Sequence, residues 1–130
     1  MNDGVIDAGV AIGWIKGGHR SVRRLESLFT SCRLGRKGLV ISTVNLAEVF
    51  IHTFAWTKAT GGDPLSFLRA SGVRVHLPDE VVARRVARLP ASLADGFAAA
   101  TAQELGARLH TTDSELKDRL RGFPIPITLY

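Results

Sequence analysis

Leu39-Val40-Ile41-Ser42 is an uncharged run of β-prone residues, with the glycine-punctuated stretch Gly35 to Gly38 before it and Val44 to Trp56 after it. A strand without polar alternation has both faces covered, the condition of a strand inside a parallel sheet. Upstream, Gly4 to Asp7 predicts a short strand with Val5 and Ile6 as its β-prone pair. Helices are predicted at Gly9–Ile15 and Val22–Thr30, where Leu25, Leu28 and Phe29 share a face. Downstream, Val49, Phe50 and Phe54 fall at helical spacing within one helix over Val44 to Trp56. Pro64 to Ala70 predicts a short helix with proline in its first turn, and Val73 to Leu77 a strand. Asp79 caps a helix whose Val82, Val86 and Leu89 face inward. Ser92 to Leu105 predicts an alanine-rich helix stopped by Gly106, Ala107 to Thr111 a strand, and Asp113 to Leu120 a short helix. Pro124 to Leu129 fits only a sheet edge, because proline cannot donate to a central ladder. Strands separated by helices predict an α/β fold, a parallel sheet with helices on both faces.

The chain has 130 residues, which predicts one domain over 1–130. A hydrophobic fraction of 45 % and a charged fraction of 22 % exclude a disordered chain, a collagen-like fibre and a coiled coil. The single cysteine, Cys32, excludes an intramolecular disulfide and a cysteine-based zinc site, and it is predicted in a loop without an evident base. Asp7, Lys16 and Glu48 interrupt the most apolar stretches, so no membrane span is expected. Met1-Asn2-Asp3 lacks the basic start of a secretory signal, and the expected location is cytoplasmic. Lys and Arg total 17 against 12 Asp and Glu, a net charge of +5 that attracts phosphate without specifying sequence.

Ligands of parallel sheets bind outside the carboxyl ends of the strands. Four acids are predicted there: Asp7 ends the first strand, Glu48 lies in the helix after Leu39–Ser42, Asp95 begins the alanine-rich helix, and Asp113 follows Ala107–Thr111. Carboxylates packed together repel one another, so either some stay protonated or a cation sits among them. Hard divalent ions such as Mg²⁺ and Mn²⁺ take oxygen ligands of this kind. Each acid also has a plain structural explanation. Ser92-x-x-Asp95 and Thr112-x-x-Glu115 fit capping boxes, the latter with Asp113 in the first turn, and Asn45-x-x-Glu48 is a looser version. Asp7 is the exception, since it lies inside an apolar stretch where a buried acid is costly without a partner.

His19, His52, His76 and His110 have no metal-site spacing and are expected at the surface or neutral in the interior. Trp14, Phe50, Phe54 and Trp56 are expected in the core or at a subunit interface. No phosphate-binding glycine loop and no nucleophile elbow is present.

Four segments resemble, in order, the motifs of PIN-domain nucleases. They are Val5-Ile6-Asp7-Ala8-Gly9-Val10, then Ile41 to Val49 ending in Leu46-Ala47-Glu48-Val49. Leu93-Ala94-Asp95-Gly96-Phe97-Ala98-Ala99-Ala100-Thr101-Ala102 is the third, and Leu109 to Leu116, with Thr111-Thr112-Asp113, the fourth. The size is similar to that of the VapC type, the toxin half of type II toxin–antitoxin pairs. The resemblance implies a three-layer α/β/α sandwich and Mg²⁺- or Mn²⁺-dependent endoribonuclease activity. It also implies a homodimer, and inhibition by a small antitoxin protein. By the same likeness Asp7, Glu48, Asp95 and Asp113 are the catalytic and metal-site acids, Thr111 matches the hydroxyl residue two positions before the fourth acid and is implied to bind substrate, and Glu115 matches a further acid. Arg20, Arg23, Arg24, Arg36, Lys37 and Arg84 are candidates for the RNA backbone.

Three positions depart from the pattern. Gly9 stands where the family usually carries Ser or Asn, Leu116 where Phe is common, and Gly96 is unusual so early in a helix. The alternative is a degenerate PIN fold that binds RNA or protein without cutting. A phosphorelay receiver would need a phosphorylatable Asp ending a central strand and a Lys after the last strand. A haloacid-dehalogenase-like phosphatase would need a second Asp at position 9, and the chain has none of these.

Overall fold

A computed structural model describes residues 3–130; of the tripeptide expected to lack a secretory start, Met1 and Asn2 lie outside the described residues. Five strands, β1 (Asp3–Ile6), β2 (Gly38–Ser42), β3 (Arg74–His76), β4 (Arg108–Thr111) and β5 (Ile127–Leu129), pair in the order β3-β2-β1-β4-β5. Every pairing is parallel, with Val5 opposite both Val40 and Leu109 in the central three strands. The short edge strands β3 and β5 close the sheet, and the prolines before β5 stand at that edge, as their missing N–H requires.

Alternate residues of the strands point to opposite faces, and the core divides accordingly. Ile6, Leu39 and Ile41 join Val10, Ala11 and Ile15 of α1 (Ala8–Lys16) and Leu25, Leu28 and Phe29 of α2 (Val22–Arg33). Val49 of α3 (Thr43–His52) and Leu68 of α5 (Pro64–Ala70) complete that side. Val5, Val40 and Leu109 pack instead against Val82 of α6 (Glu80–Val86), Ala98 to Ala100 of α7 (Leu93–Leu105) and Leu116 of α8 (Ser114–Arg119). The result is a three-layer α/β/α sandwich with the sheet in the middle, as the sequence predicts.

The single helix expected over Val44 to Trp56 is two. Thr53 separates α3 from α4 (Phe54–Thr60), and its buried hydroxyl donates to the Val49 carbonyl at 2.6 Å. That local bond competes with the helical ladder and bends the chain. The turn carries Phe54 outward to 65 % exposure with Phe50 at 41 %, so neither belongs to the core of the chain. Trp14, by contrast, stacks on Phe29 with ring centroids 4.9 Å apart. Cys32 lies in the last turn of α2 and is buried, not in a loop. Gly96 has a packing reason: a Cβ there would stand 2.9 Å from Val86 Cγ1, so the glycine lets α6 lie close against α7. No helix among the described residues is long and apolar enough to cross a membrane.

Candidate functional site

The chain runs from β1 out to β3 on one side, then returns to build β4 and β5 on the other. Strand order therefore reverses between β1 and β4, and the crevice at the carboxyl ends of those two strands is the place where such sheets bind ligands. Asp7 follows β1 directly, and Asp113 stands two residues after β4. Helix α7 leads into β4 and so starts at the same rim, with Asp95 in its first turn.

Asp7 is 4 % exposed and acts as the N-cap of α1, its Oδ1 accepting from the Val10 N–H at 2.9 Å. Its other oxygen, Oδ2, accepts a short hydrogen bond from Thr111 Oγ1. Thr111 Oγ1 in turn accepts the backbone N–H of Asp113 at 3.0 Å. The costly buried acid thus has partners, one from helix α1 and one from strand β4. Burial pushes the Asp7 carboxyl up to about 6; the bonds from Thr111 and Val10 pull it down, and the charges of Asp95 and Asp113 raise it again. An acid with this value at a switch point is poised near neutrality, a mark of functional sites.

Asp113 is the N-cap of α8, its Oδ1 accepting from the N–H groups of Glu115 at 2.9 Å and Leu116 at 3.1 Å. The capping explanation holds for this residue, with Asp113 rather than Thr112 as the cap. It fails for Asp95: Ser92 is the N-cap of α7 and makes no side-chain capping bond, so no capping box forms there. Asp95 is half-buried, and its charge reaches Asp7.

Glu48 joins this group indirectly. It lies near the middle of α3, half-buried, whereas the cap of that helix is Ser42. Asn45, fully buried one turn earlier, donates Nδ2 to the Ala94 carbonyl at 2.9 Å and to Glu48 Oε1 at 3.4 Å. One amide therefore ties α3 to the residue before Asp95, while Asn45 Oδ1 is buried without a partner. Asn45 is more than the loose cap that Asn45-x-x-Glu48 suggests. The signal was a lone amide between Val44 and Leu46 on a helix, where burial demands a partner.

The charges of Asp95 and Asp113 thus both reach Asp7, and Glu48 is linked to the start of α7 through Asn45. Among the described residues no three His, Cys, Asp or Glu side chains are gathered tightly enough to hold a metal ion between them. Glu115 is exposed and pairs with Arg119 at 3.5 Å. His110 is buried and neutral, as expected of an interior histidine. Burial first, then Lys37 and Arg108, push it down to about 4, and its Nδ1 lies 2.8 Å from the Tyr130 hydroxyl. Of the basic candidates, Arg24 is committed elsewhere, to the Leu129 carbonyl at 2.8 Å and the Tyr130 ring. Arg20, Arg23, Arg36, Lys37 and Arg84 are exposed. A cavity of about 350 Å³ opens at the amino end of the sheet beside Gly4, Lys37 and Arg108, away from all four acids.

The PIN domain family model matches residues 4–120. Comparison with curated proteins gives no match. Among solved structures the chain is similar to VapBC2 from Rickettsia felis bound to a DNA fragment from their promoter, at 15 % identity and a TM-score of 0.74. It is also similar to a toxin–antitoxin complex from Klebsiella pneumoniae at 18 % and 0.70, and to DNA-bound VapBC from Salmonella typhimurium at 21 % and 0.68. Each of these covers 98 % of both chains. At these identities the likeness is one of fold.

Proposed function

The chain belongs to the PIN-domain family, and on that premise we propose that it is a divalent-metal-dependent endoribonuclease of the VapC toxin type. The observation that carries this reading is the state of Asp7: a buried carboxyl, pushed up to about 6, at the sheet's switch point and within the fields of Asp95 and Asp113. The family generally uses divalent metals. The donor set suits a hard ion, because it is made of carboxylate oxygens and hydroxyls with no soft ligand. It suits a hydrated ion held by one or two carboxylates, the usual habit of Mg²⁺, better than a closed cage.

Asp7 and Asp95 are the residues proposed to hold Mg²⁺ or Mn²⁺, with Asp113 and Glu48 completing the negative rim. When bound, such an ion supplies positive charge for the phosphoryl group and a water of lowered pKa. The chain's own residues do the rest. Thr111 fixes the rotamer of Asp7 and keeps its Oδ2 engaged, and Asn45 holds the start of α7, and with it Asp95, against α3. Exposed Arg20, Arg23, Arg36, Lys37 and Arg84 offer the phosphate backbone a sequence-independent hold. An antitoxin partner is supported by the matched assemblies, which are toxin–antitoxin complexes. A homodimer, a cytoplasmic location and action as a single unit over 1–130 are part of the same proposal.

The test is cleavage of structured RNA by the purified chain in Mn²⁺. Cutting that EDTA stops and Asp7→Asn abolishes supports the reading; cutting that survives either change comes from a contaminating nuclease and sinks it. One observation favours a second reading, a degenerate PIN fold that binds without cutting: the acids do not form a ready-made three-ligand group. That reading predicts RNA binding unaffected by Mn²⁺.

A further inference from the structure

Gly9 sits in the first turn of α1, where alanine would favour the helix more, and its backbone is not in the left-handed region that calls for glycine. Space is what requires it. A Cβ at position 9 would overlap Thr112 Oγ1, while standing 3.5 Å from Asp7 Oδ1 and 3.5 Å from Thr112 Cβ. The Thr112 hydroxyl, carried on the loop between β4 and α8, therefore occupies the volume beside Asp7 that a side chain on α1 would otherwise fill. It takes no part in the bonds that hold Asp7, Thr111 and Asp113 in place. Thr112 is also half-buried, so solvent reaches its surroundings.

We propose that Thr112 is a positioning residue whose hydroxyl, seated in the space left open by Gly9, orients the hydrated divalent cation bound at Asp7. This rests on the nuclease reading above and adds a residue to it. The chemistry is that of a hydroxyl, which can donate to one neighbour and accept from another and so fix the direction of a water beside a carboxylate oxygen. Groups that orient a metal's direct ligands change affinity or activity by about 10- to 100-fold when removed. The neighbouring Thr111 cannot serve, because its hydroxyl already donates to Asp7 and accepts from Asp113.

The experiment is a double-mutant cycle on the full chain, read by Mn²⁺ titration calorimetry, by melting in EDTA and by steady-state RNA cleavage. Thr112→Ala is expected to melt near the wild type, to bind Mn²⁺ about tenfold more weakly, and to lose kcat with KM unchanged. Thr112→Ser restores both. Gly9→Ser alone melts lower, because its Cβ displaces the Thr112 hydroxyl. Gly9→Ser combined with Thr112→Ala recovers melting and Mn²⁺ affinity together, the hydroxyl now entering from α1. Wild-type Mn²⁺ affinity in Thr112→Ala overturns the inference and leaves Thr112 a space-filler, as does a double variant that recovers melting but not affinity. A wild type that does not bind Mn²⁺ at all overturns the nuclease reading and this inference with it, a result distinct from the others.

Discussion

Thr111 Oγ1 donates to Asp7 Oδ2 across 104 residues of sequence, joining the carboxyl ends of the two central strands at the crevice where strand order reverses. The same oxygen accepts the Asp113 N–H, so one hydroxyl links the Asp7 carboxyl to the backbone at Asp113. Thr111→Val keeps the shape and removes the donor. It is expected to destabilise the fold by about 1–3 kcal/mol, because a buried carboxylate loses a partner. It should also raise the Asp7 carboxyl above its present value of about 6, since the Thr111 bond is the largest influence holding it down. A carbon-13 titration of the Asp7 side chain reads the shift, and an unchanged titration refutes the assignment.

Asp95 is placed in a first helical turn without a capping bond, and its charge helps hold Asp7 protonated. Removing that charge relieves repulsion. Asp95→Asn is therefore expected to melt at or above the wild-type temperature in EDTA. Mn²⁺ at about 100 times its Kd should stabilise the wild type by about 2.7 kcal/mol and the variant far less. Scanning calorimetry with and without Mn²⁺ decides: a variant that unfolds, with neither form answering to metal, would return Asp95 to a purely structural role.

Asn45 Nδ2 spans the Ala94 carbonyl and Glu48 Oε1 from a fully buried position. Truncation leaves both acceptors short of a donor and opens a small void. Asn45→Ala is expected to cost about 1–3 kcal/mol, the range for a buried polar partner lost. Asn45→Asp should cost more, because it brings a second carboxylate against Glu48 and has no donor for Ala94. Urea midpoints of the two variants give the order directly, and equal midpoints would mean that the bridge contributes little.

Much of this fold could be read in the sequence because its signals are local. The uncharged Leu39–Ser42 run, the prolines before β5, Asp79 as a cap and Gly106 as a left-handed helix stop each act through their own neighbourhood, and each appears as expected. Asp7 and Asp113 stand just after strands and Asp95 in a first helical turn for the same reason, whereas Glu48 lies in mid-helix. What sequence could not supply was anything set by contact between distant segments. Gly96 is explained by Val86 across the α6–α7 packing, and Gly9 by Thr112 across the crevice. Phe50 and Phe54 satisfy helical spacing, but Phe50 lies on the exposed side of α3 and Phe54 beyond the break at Thr53, which periodicity alone does not register.

Two buried groups with opposite responses to pH sit in the same sheet. Burial raises Asp7 from 3.8 to about 6, so the folded state holds its proton more tightly than the unfolded chain does. Its contribution to stability is most favourable below pH 4 and declines as pH rises to 6, by about 3 kcal/mol at most. His110 is lowered from 6.5 to about 4, so its contribution is fully present above pH 6.5 and is lost as pH falls to 4, again by about 3 kcal/mol. The two slopes oppose each other between pH 4 and 6 and leave the wild type nearly level there. Asp7→Asn keeps one oxygen to accept from the Val10 N–H, sets an amide NH₂ where Oδ2 accepted from Thr111, and removes the titration. At pH 7 it is expected to be more stable than the wild type by up to about 3 kcal/mol, an advantage that vanishes near pH 4, where Asp7 of the wild type carries its proton in the folded and the unfolded chain alike. Urea midpoints from pH 4 to 8 check this: the variant should slope where the wild type is flat, and parallel profiles would mean that Asp7 does not titrate in this window.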